Sequence, residues 1–318
     1  MAPITLVTGF LGSGKTTLLQ ALLRQGAGGR RLAVIVNEFG QVGLDGAALA
    51  RTGAAPVIEL PGGCLCCAAG SDFLVAVEEV LAYQPDQIVV ETSGLAEPGA
   101  LVRRAREAGL SLDAIVAVAD AANLDAALAA APVAEWQLRA ADIIVLSKGD
   151  LISPAAQQAA QSQVRALNPR AVIVPAVQGQ LAPELLFGPR QLGLDVTNLP
   201  PHQPGDGFTS LVWQSDLPLR RTALVTALDQ LPATVYRAKG LVHCSDAPWP
   251  DEVHLVAGRH SLTAFRPKQP ISPLNTLVLI GPDLAALAAT IRTNFDGSAD
   301  SPERTIAWRA RYADLFDA

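Results

Sequence analysis

The clearest candidate for chemistry is the segment G-F-L-G-S-G-K-T at residues 9–16. It follows the apolar run Ile4–Thr8, precedes a helix-like run, and fits the G-x-x-x-x-G-K-[ST] pattern of a phosphate-binding loop. Glycines let successive backbone N–H groups turn toward phosphate oxygens, and the N-terminus of the next helix adds a favourable dipole. The segment therefore predicts a nucleotide site that includes Gly9, Gly12, Ser13, Gly14, Lys15, Thr16 and Thr17.

A second apolar run, Gln87–Glu91, ends on a carboxylate and is followed closely by Gly94. In a phosphoryl-transfer site we expect Lys15 to reach the β- and γ-phosphates and the Thr16 hydroxyl to ligate Mg²⁺. Glu91 is placed to hold Mg²⁺ through water, and the Gly94 amide to contact the γ-phosphate. These four residues are the predicted catalytic set, although Glu91 would also be unremarkable as the last residue of a strand.

The apolar run Asp142–Ser147 leads into S-K-G-D, which resembles the N-K-x-D segment with which GTPases recognise guanine. A carboxylate at Asp150 accepts hydrogen bonds from guanine N1–H and the exocyclic amine, a pair of donors that adenine lacks. Lys148 would lie along the base, while Ser147 replaces the usual Asn and makes a shorter contact. A surface turn that caps the next helix is the alternative interpretation. In this position the segment favours GTP.

Three thiols lie within four residues in G-G-C-L-C-C, at Cys64, Cys66 and Cys67. Thiolates are soft ligands that suit Zn²⁺ or Cu⁺, and three of them leave a fourth position open. Isolated cysteines are often small buried hydrophobes instead, but clustering beside glycines favours a transition-metal site. His243 and Cys244 are also adjacent, yet an extended strand would point them to opposite faces, so a structural role is favoured for that pair.

Alternating strands and helices must position these groups. The sequence predicts strands at Ile4–Thr8, Leu32–Asn37, Gln87–Glu91, Ala114–Ala119, Asp142–Ser147 and Ala171–Val174. It predicts helices at Lys15–Arg24, Asp72–Ala82, Gly99–Ala108 and Ala155–Leu167. This order indicates an α/β domain of the P-loop NTPase type with a mostly parallel sheet, over residues 1–187.

A second domain is predicted beyond a Pro- and Gly-rich linker at residues 188–206. Residues 207–318 combine strand-like runs at Thr209–Gln214, Tyr236–Cys244, His254–Ala257 and Leu277–Ile280 with helix-like runs at Leu219–Leu231 and Asp283–Thr293. This pattern indicates a smaller α+β domain.

Bulk composition excludes several classes of protein. The formal charge of −6 argues against a nucleic-acid binder, which should carry a basic face. The N-terminus has no basic region before an apolar run, as a signal peptide would, and no apolar run reaches membrane-spanning length. The sequence therefore predicts a cytoplasmic protein without a membrane partner, in which reduced cysteines act as ligands or are buried residues rather than forming disulfides.

Taken in order, five segments closely resemble the CobW-type family of metallochaperone GTPases, relatives of the nickel-insertion GTPases of urease and hydrogenase. They are T-G-F-L-G-S-G-K-T-T at 8–17, N-E-F-G at 37–40, G-G-C-L-C-C at 62–67, E-T-S-G-L-A-E-P at 91–98, and S-K-G-D at 147–150. The C-terminal domain is similar to the family's only in size and in R-A-K-G at Arg237–Gly240.

The resemblance implies GTP hydrolysis coupled to delivery of a metal ion to a client metalloprotein, with Cys66 and its neighbours as ligands. Glu38 matches a position that relatives associate with metal and switch function, whereas Gln41 stands where many relatives carry Glu. Zn²⁺ is the expected metal, with Co²⁺ in a corrinoid pathway as the nearest variant, and a homodimer is an open alternative among the partners. Two other functions stay open: a P-loop kinase for a small molecule, and a non-catalytic regulator that senses metal.

Overall fold

Two compact units make up the chain, Met1–Phe187 and Gly188–Ala318. The computed structural model describes residues 2–37, 55–60, 70–107, 109–188, 209–267, 271 and 273–312. Within them the first unit holds a parallel sheet flanked by helices, and the second a smaller antiparallel sheet with helices. The predicted fold class is therefore confirmed.

Seven parallel strands form the sheet of the described part of the first unit, in the order β3-β2-β4-β1-β5-β6-β7. The strands are β1 (Ile4–Thr8), β2 (Leu32–Asn37), β3 (Val57–Leu60), β4 (Gln87–Glu91), β5 (Leu112–Asp120), β6 (Ile143–Ser147) and β7 (Val172–Ala176). The helices are α1 (Lys15–Arg24), α2 (Gly70–Leu81), α3 (Pro98–Glu107), α4 (Leu124–Ala130), α5 (Pro132–Ala140), α6 (Pro154–Leu167) and α7 (Pro183–Phe187).

Strand β1 lies at the centre of this sheet and is buried along its whole length. The adjacent strand β4 and the more distant β6 are equally buried, which explains why each is a continuous apolar run rather than an alternating one. Because all neighbours are parallel, the carboxyl ends of β1, β4, β5 and β6 meet at one edge of the sheet. The phosphate loop, the Glu91 end and the S-K-G-D segment all begin at that edge, where ligands bind in open α/β sheets.

The second unit contains an antiparallel sheet in the order β11-β10-β9-β12-β8. The strands are β8 (Thr209–Ser215), β9 (Arg237–Val242), β10 (Asp251–Val256), β11 (Arg259–Ala264) and β12 (Asn275–Gly281), and the helices are α8 (Arg221–Asp229), α9 (Leu284–Asp296) and α10 (Pro302–Arg311). Trp213 anchors the core, because its ring packs on Phe295 with centroids 5.1 Å apart and its Nε1 donates to Asp296 Oδ1 at 2.8 Å.

Several elements were absent from the sequence prediction. Strand β3 and the two helices α4 and α5 were not predicted, nor were α7, β11 and α10. The predicted strand His254–Ala257 begins earlier, at Asp251, and the predicted helix Leu219–Leu231 is shorter, at Arg221–Asp229. Strand β11 is missed because it lies at a sheet edge and is largely exposed, so its sequence has no apolar alternation.

Among the described residues, every helix is too short or too polar to traverse a lipid bilayer.

Candidate nucleotide site

The phosphate loop joins β1 to α1 and is shaped by glycines in conformations that other residues rarely adopt. Gly9 has φ 142° and Gly14 has φ 100°. Gly9 also lies against β5, since a Cβ there would be 2.2 Å from the Val118 carbonyl oxygen. The loop therefore needs glycine both for its backbone angles and for its close contact with the neighbouring strand.

Lys15, the first residue of α1, is folded over this loop. Its Nζ donates to the Gly9 carbonyl at 2.9 Å and lies 3.4 Å from the Phe10 carbonyl oxygen. The amine therefore lies over the concave side of the loop, where phosphate oxygens would replace these carbonyls as acceptors. Thr17, also on α1, is exposed and one position beyond Thr16.

Thr16 and Glu91 are in direct contact although 75 residues separate them in sequence. The Thr16 hydroxyl donates to Glu91 Oε1 at 3.0 Å, and the Glu91 side chain is buried. The end of β4 thus brings a carboxylate to the start of α1, beside the other residue that the sequence assigns to Mg²⁺.

Gly94 follows β4 and lies against the phosphate loop. A Cβ at this position would be 2.6 Å from Leu11 Cδ2 and 2.8 Å from the Leu11 backbone nitrogen. Only glycine leaves room for this approach. The close contact brings the backbone of the T-S-G segment to the loop that would hold the phosphates.

Ser147 and Lys148 connect the predicted guanine segment to the same loop. The Ser147 hydroxyl donates to the Ser13 carbonyl at 2.6 Å and lies 3.1 Å from the Ala119 carbonyl oxygen. Lys148, with φ 57°, donates from Nζ to the Gly12 carbonyl at 2.9 Å. Ser147 therefore connects β6 to the phosphate loop despite replacing the usual Asn.

Asp150 is exposed on the short 3-10 turn Gly149–Leu151. Gln157 on α6 supports this turn by donating from Nε2 to the Gly149 carbonyl at 2.8 Å. The structure thus places a carboxylate on an anchored turn beside Lys148, where the sequence predicted the guanine-reading group.

Asp120, at the end of β5, is a participant that the sequence prediction missed. Its Oδ2 pairs with Lys148 Nζ at 2.7 Å and accepts from Asn123 Nδ2 at 2.9 Å. Burial tends to raise the pKa of Asp120, but hydrogen bonds from Lys148, Asn123 and the Ala122 amide outweigh it and hold the pKa below its usual value. The carboxylate therefore stays charged and fixes the direction of the Lys148 side chain.

A cavity of about 400 Å³ lies beside this site. Its walls are the phosphate loop at residues 9–13, the end of β5, and helices α4 and α5, and most of the lining is apolar. Asp150, Thr16 and Glu91 are not among the described residues that line it. The lining does include Gly9, Gly12, Ser13 and Lys148, which are predicted nucleotide-binding residues, so the cavity adjoins the nucleotide site.

The predicted transition-metal ligands Glu38, Cys64, Cys66 and Cys67 lie outside the described residues. Within the described ranges no cluster of three or more His, Cys, Asp or Glu side chains is arranged to hold a metal ion. The structure therefore leaves the predicted cysteine site as a prediction.

His243 and Cys244 are both buried in the second unit. Cys244 belongs to the apolar core, where burial raises the pKa of its thiol to about 12. The His243 amide donates to Asn275 Oδ1 at 2.7 Å, and its ring meets the Trp308 ring edge-on. A neutral, enclosed thiol is a poor metal ligand, which agrees with the structural role favoured for this pair.

Gln137 on α5 is a second residue that the sequence prediction missed. Its Nε2 lies 3.1 Å from the carbonyl oxygens of both Gly94 and Ala96. A single glutamine on a short helix carries no pattern that points to this contact, whereas Asp120 was accessible to sequence reasoning as a carboxylate ending an apolar strand.

Each of the two units matches a different protein-family model. A family model described as CobW/HypB/UreG, nucleotide-binding domain, matches residues 3–175, and one described as the Cobalamin synthesis protein cobW C-terminal domain matches residues 208–298.

Similar proteins include the zinc chaperone CobW of Pseudomonas aeruginosa, which is 33% identical over an alignment of 341 positions, gaps included, that spans 92% of this chain and 91% of that protein. The zinc chaperone CobW of a Sinorhizobium species is 36% identical over 220 residues, covering 58% of this chain and 62% of that protein, so the chain spans less than two thirds of that relative. Among solved structures, the Zn(II)-bound YjiA GTPase from E. coli is 25% identical with a TM-score of 0.46, covering 94% of this chain and 100% of that one.

Proposed function

The chain belongs to the CobW/HypB/UreG family, and on that premise we propose that it hydrolyses GTP and couples hydrolysis to delivery of Zn²⁺ to a client metalloprotein. Guanine nucleotide binds at the edge of the parallel sheet, and the metal binds at Cys64, Cys66, Cys67 and Glu38. Relatives named as zinc chaperones support zinc over cobalt as the cargo.

One observation carries the nucleotide part of this proposal. The Thr16–Glu91 hydrogen bond at 3.0 Å and the Lys148–Gly12 hydrogen bond at 2.9 Å bring three distant segments together: the phosphate loop with the start of α1, the end of β4, and the S-K-G-D segment. One segment reads phosphate, one holds the metal of the nucleotide, and one reads the base. A structural glycine turn would not need the other two segments.

The residues at the phosphate end suit Mg²⁺. A hydroxyl and a carboxylate, from Thr16 and Glu91, meet there, and oxygen ligands are those that Mg²⁺ prefers. When bound with GTP, Mg²⁺ supplies positive charge beside the β- and γ-phosphates. Lys15 neutralises the same oxygens, and Gly94 directs its backbone N–H toward the γ-phosphate.

We expect Asp150→Asn to weaken GTP binding about tenfold and to improve binding of xanthosine triphosphate. An amide cannot accept from both N1–H and the exocyclic amine of guanine, and a good bidentate base contact is worth about 1–3 kcal/mol. Titration with fluorescent GTP, ATP and xanthosine triphosphate measures the change. The matched control is Asp125→Asn on α4, which should leave all three affinities unchanged. Equal affinity of the unmodified protein for ATP and GTP would contradict guanine recognition.

Metal affinity should depend on the bound nucleotide. The cysteines lie in sequence between the N-E-F-G segment and Glu91 with Gly94, so movement of those flanks on loss of the γ-phosphate is transmitted to the thiols. Coupling between two binding sites is typically about 1–3 kcal/mol, or roughly 5–150-fold in affinity, and is reciprocal. We expect zinc affinity to differ by such a factor between protein loaded with GDP and protein loaded with a non-hydrolysable GTP analogue.

Competition titration with zinc and cobalt chelators in both nucleotide states makes this measurement. Replacing Cys66 and Cys67 together with alanine should abolish tight zinc binding, whereas Cys244→Ala, at a buried cysteine, should not. Unchanged zinc affinity in the double variant, or the same affinity in both nucleotide states, would leave a plain GTPase with structural cysteines. Phosphate release without an added acceptor substrate separates this GTPase from a small-molecule kinase.

A further inference from the structure

The side chain of Gln137 contacts the segment that carries Gly94. Gln137 is 1% exposed and projects from α5. Its Nε2 donates to the carbonyl oxygens of Gly94 and Ala96, both at 3.1 Å. Two carbonyls of the segment that follows β4 are therefore held by one side chain from another part of the chain.

Helix α5 is a firm support for that side chain. Just beyond α6, Asn168 donates from Nδ2 to the carbonyls of Leu138 and Ala141 at 2.8 and 2.9 Å. Asn168 Oδ1 in turn accepts from the Ala171 amide at 3.0 Å, directly before β7. The C-terminal end of α5 is thus fixed to the sheet through a buried amide, and Gln137 lies one residue before this fixed end.

Gly94 is confined on its other side by the phosphate loop. A Cβ on Gly94 would approach Leu11 Cδ2 to 2.6 Å, so the glycine backbone lies directly on Leu11. The Ala96 amide also closes a turn onto the Ser93 carbonyl at 3.1 Å. Leu11 therefore lies on one side of Gly94 and Gln137 on the other, and the Ala96–Ser93 turn fixes the peptide that carries the Gly94 N–H.

The oxygen atom of the Gln137 side-chain amide does not belong to a polar network among the described residues. Among the described residues, Gln137 Oε1 has no hydrogen-bond partner, and the side chain borders the largely apolar cavity between α4 and α5. A buried acceptor without a partner is unfavourable. A polar side chain at this apolar wall is therefore explained by the two hydrogen bonds that it donates to the Gly94 segment.

We infer that Gln137 is a positioning residue: by holding the Gly94 and Ala96 carbonyls it fixes the segment around Gly94, so that the Gly94 N–H is ready for the γ-phosphate, and it thereby sets the preference for GTP over GDP. The inference rests on the proposed function, because it requires guanine nucleotide at the phosphate loop. GDP lacks the phosphate that Gly94 would contact, so the affinity of the protein for GDP should not depend on Gln137. Removing the two hydrogen bonds that Gln137 donates should therefore lower the affinity for GTP and not the affinity for GDP.

The first test is Gln137→Met, which keeps the length of the side chain and removes both donated hydrogen bonds. We expect affinity for a non-hydrolysable GTP analogue to fall about tenfold and affinity for GDP to change less than about twofold. Fluorescence titration with labelled GDP and labelled analogue measures both. The matched control is Gln163→Met on α6, which removes one hydrogen bond to Asp125 at the surface and should change neither affinity.

The second test is Gln137→Glu, whose readout is a pH profile. A buried carboxylate facing two carbonyl oxygens is unfavourable, so its pKa rises, and only the protonated form donates a hydrogen bond. Affinity for the GTP analogue, relative to that of the unmodified protein at the same pH, should therefore recover between pH 8 and pH 6. A role in packing alone would give no such recovery.

The outcomes separate this inference from the proposed function. Equal loss of GDP and analogue binding in Gln137→Met, or no loss of either, would overturn the positioning role while leaving guanine-nucleotide binding intact. A flat pH profile for Gln137→Glu would overturn it as well, even if Gln137→Met failed to fold. Failure of the unmodified protein to bind any guanine nucleotide would overturn the proposed function and this inference with it.

Discussion

Lys15→Ala is expected to lower the rate of GTP hydrolysis by at least about 100-fold, the size of loss that follows removal of a single charge-stabilising group from an active site. The ammonium lies over the concave side of the phosphate loop, 2.9 Å from the Gly9 carbonyl oxygen, and is the group placed to neutralise the β- and γ-phosphate oxygens. Alanine leaves that charge uncompensated. Release of inorganic phosphate from GTP, followed over hours, measures the loss.

Folding should survive this substitution, because the shape of the loop depends on Gly9 and Gly14 rather than on the lysine side chain. Circular dichroism and thermal unfolding should therefore match those of the unmodified protein. Arg24→Ala, at the exposed far end of the same helix, is the matched control and should hydrolyse GTP at the original rate. Residual activity above about half in Lys15→Ala would show that the hydrolysis belongs to another site.

Gly240→Ala is expected to destabilise the second unit by about 3 kcal/mol, at the upper end of the range for overpacking a filled interior. Gly240 lies in β9, between β10 and β12, and a Cβ there would be 1.9 Å from the Thr276 carbonyl oxygen and 2.8 Å from Leu277 Cα. Both atoms belong to the neighbouring backbone, so relief requires the strands to separate.

Urea unfolding followed by tryptophan fluorescence reports this loss, since Trp213, Trp249 and Trp308, three of the four tryptophans, lie in the second unit. The two units are fitted as separate transitions, because a single two-state model does not apply to a chain of two domains. Gly297→Ala is the matched control: its φ is −63° and the nearest atom to an added Cβ is 3.3 Å away, so less than about 1 kcal/mol is expected. A similar midpoint for both variants would contradict the steric account of the R-A-K-G glycine.

All the described strands of the first unit except β3 were predictable from local sequence. The predicted and observed ranges agree at Ile4–Thr8, Leu32–Asn37 and Gln87–Glu91, as they do for the helix Lys15–Arg24. A parallel strand that is buried on both faces is apolar along most of its length, so it stands out in the sequence. The glycine-rich phosphate loop indicates where the following helix begins.

Helices α4 and α5, in contrast, were not predicted, because their sequence lacks a clear periodic pattern. Residues 124–140 are rich in alanine and are interrupted by Pro132, so no apolar stripe of helical period marks them. Their identity matters for the candidate site, because α5 carries Gln137. What the residue contacts depends on packing between segments that lie more than 40 positions apart, for Gly94 and Gln137 are separated by 43.

The sequence by itself determined which groups are available: a lysine and glycines predicted to bind phosphate, a carboxylate at the end of β4, an aspartate predicted to read the base, and a cluster of thiols. Each of these is a local pattern in which residue type and spacing follow from the chemistry. Only the tertiary structure decided how they meet, because the Thr16–Glu91, Ser147–Ser13 and Gln137–Gly94 contacts join residues brought together by the parallel order of the strands. Side-chain contact across a sheet edge depends on strand order and helix packing, which the burial of many apolar side chains fixes collectively and which no single segment encodes.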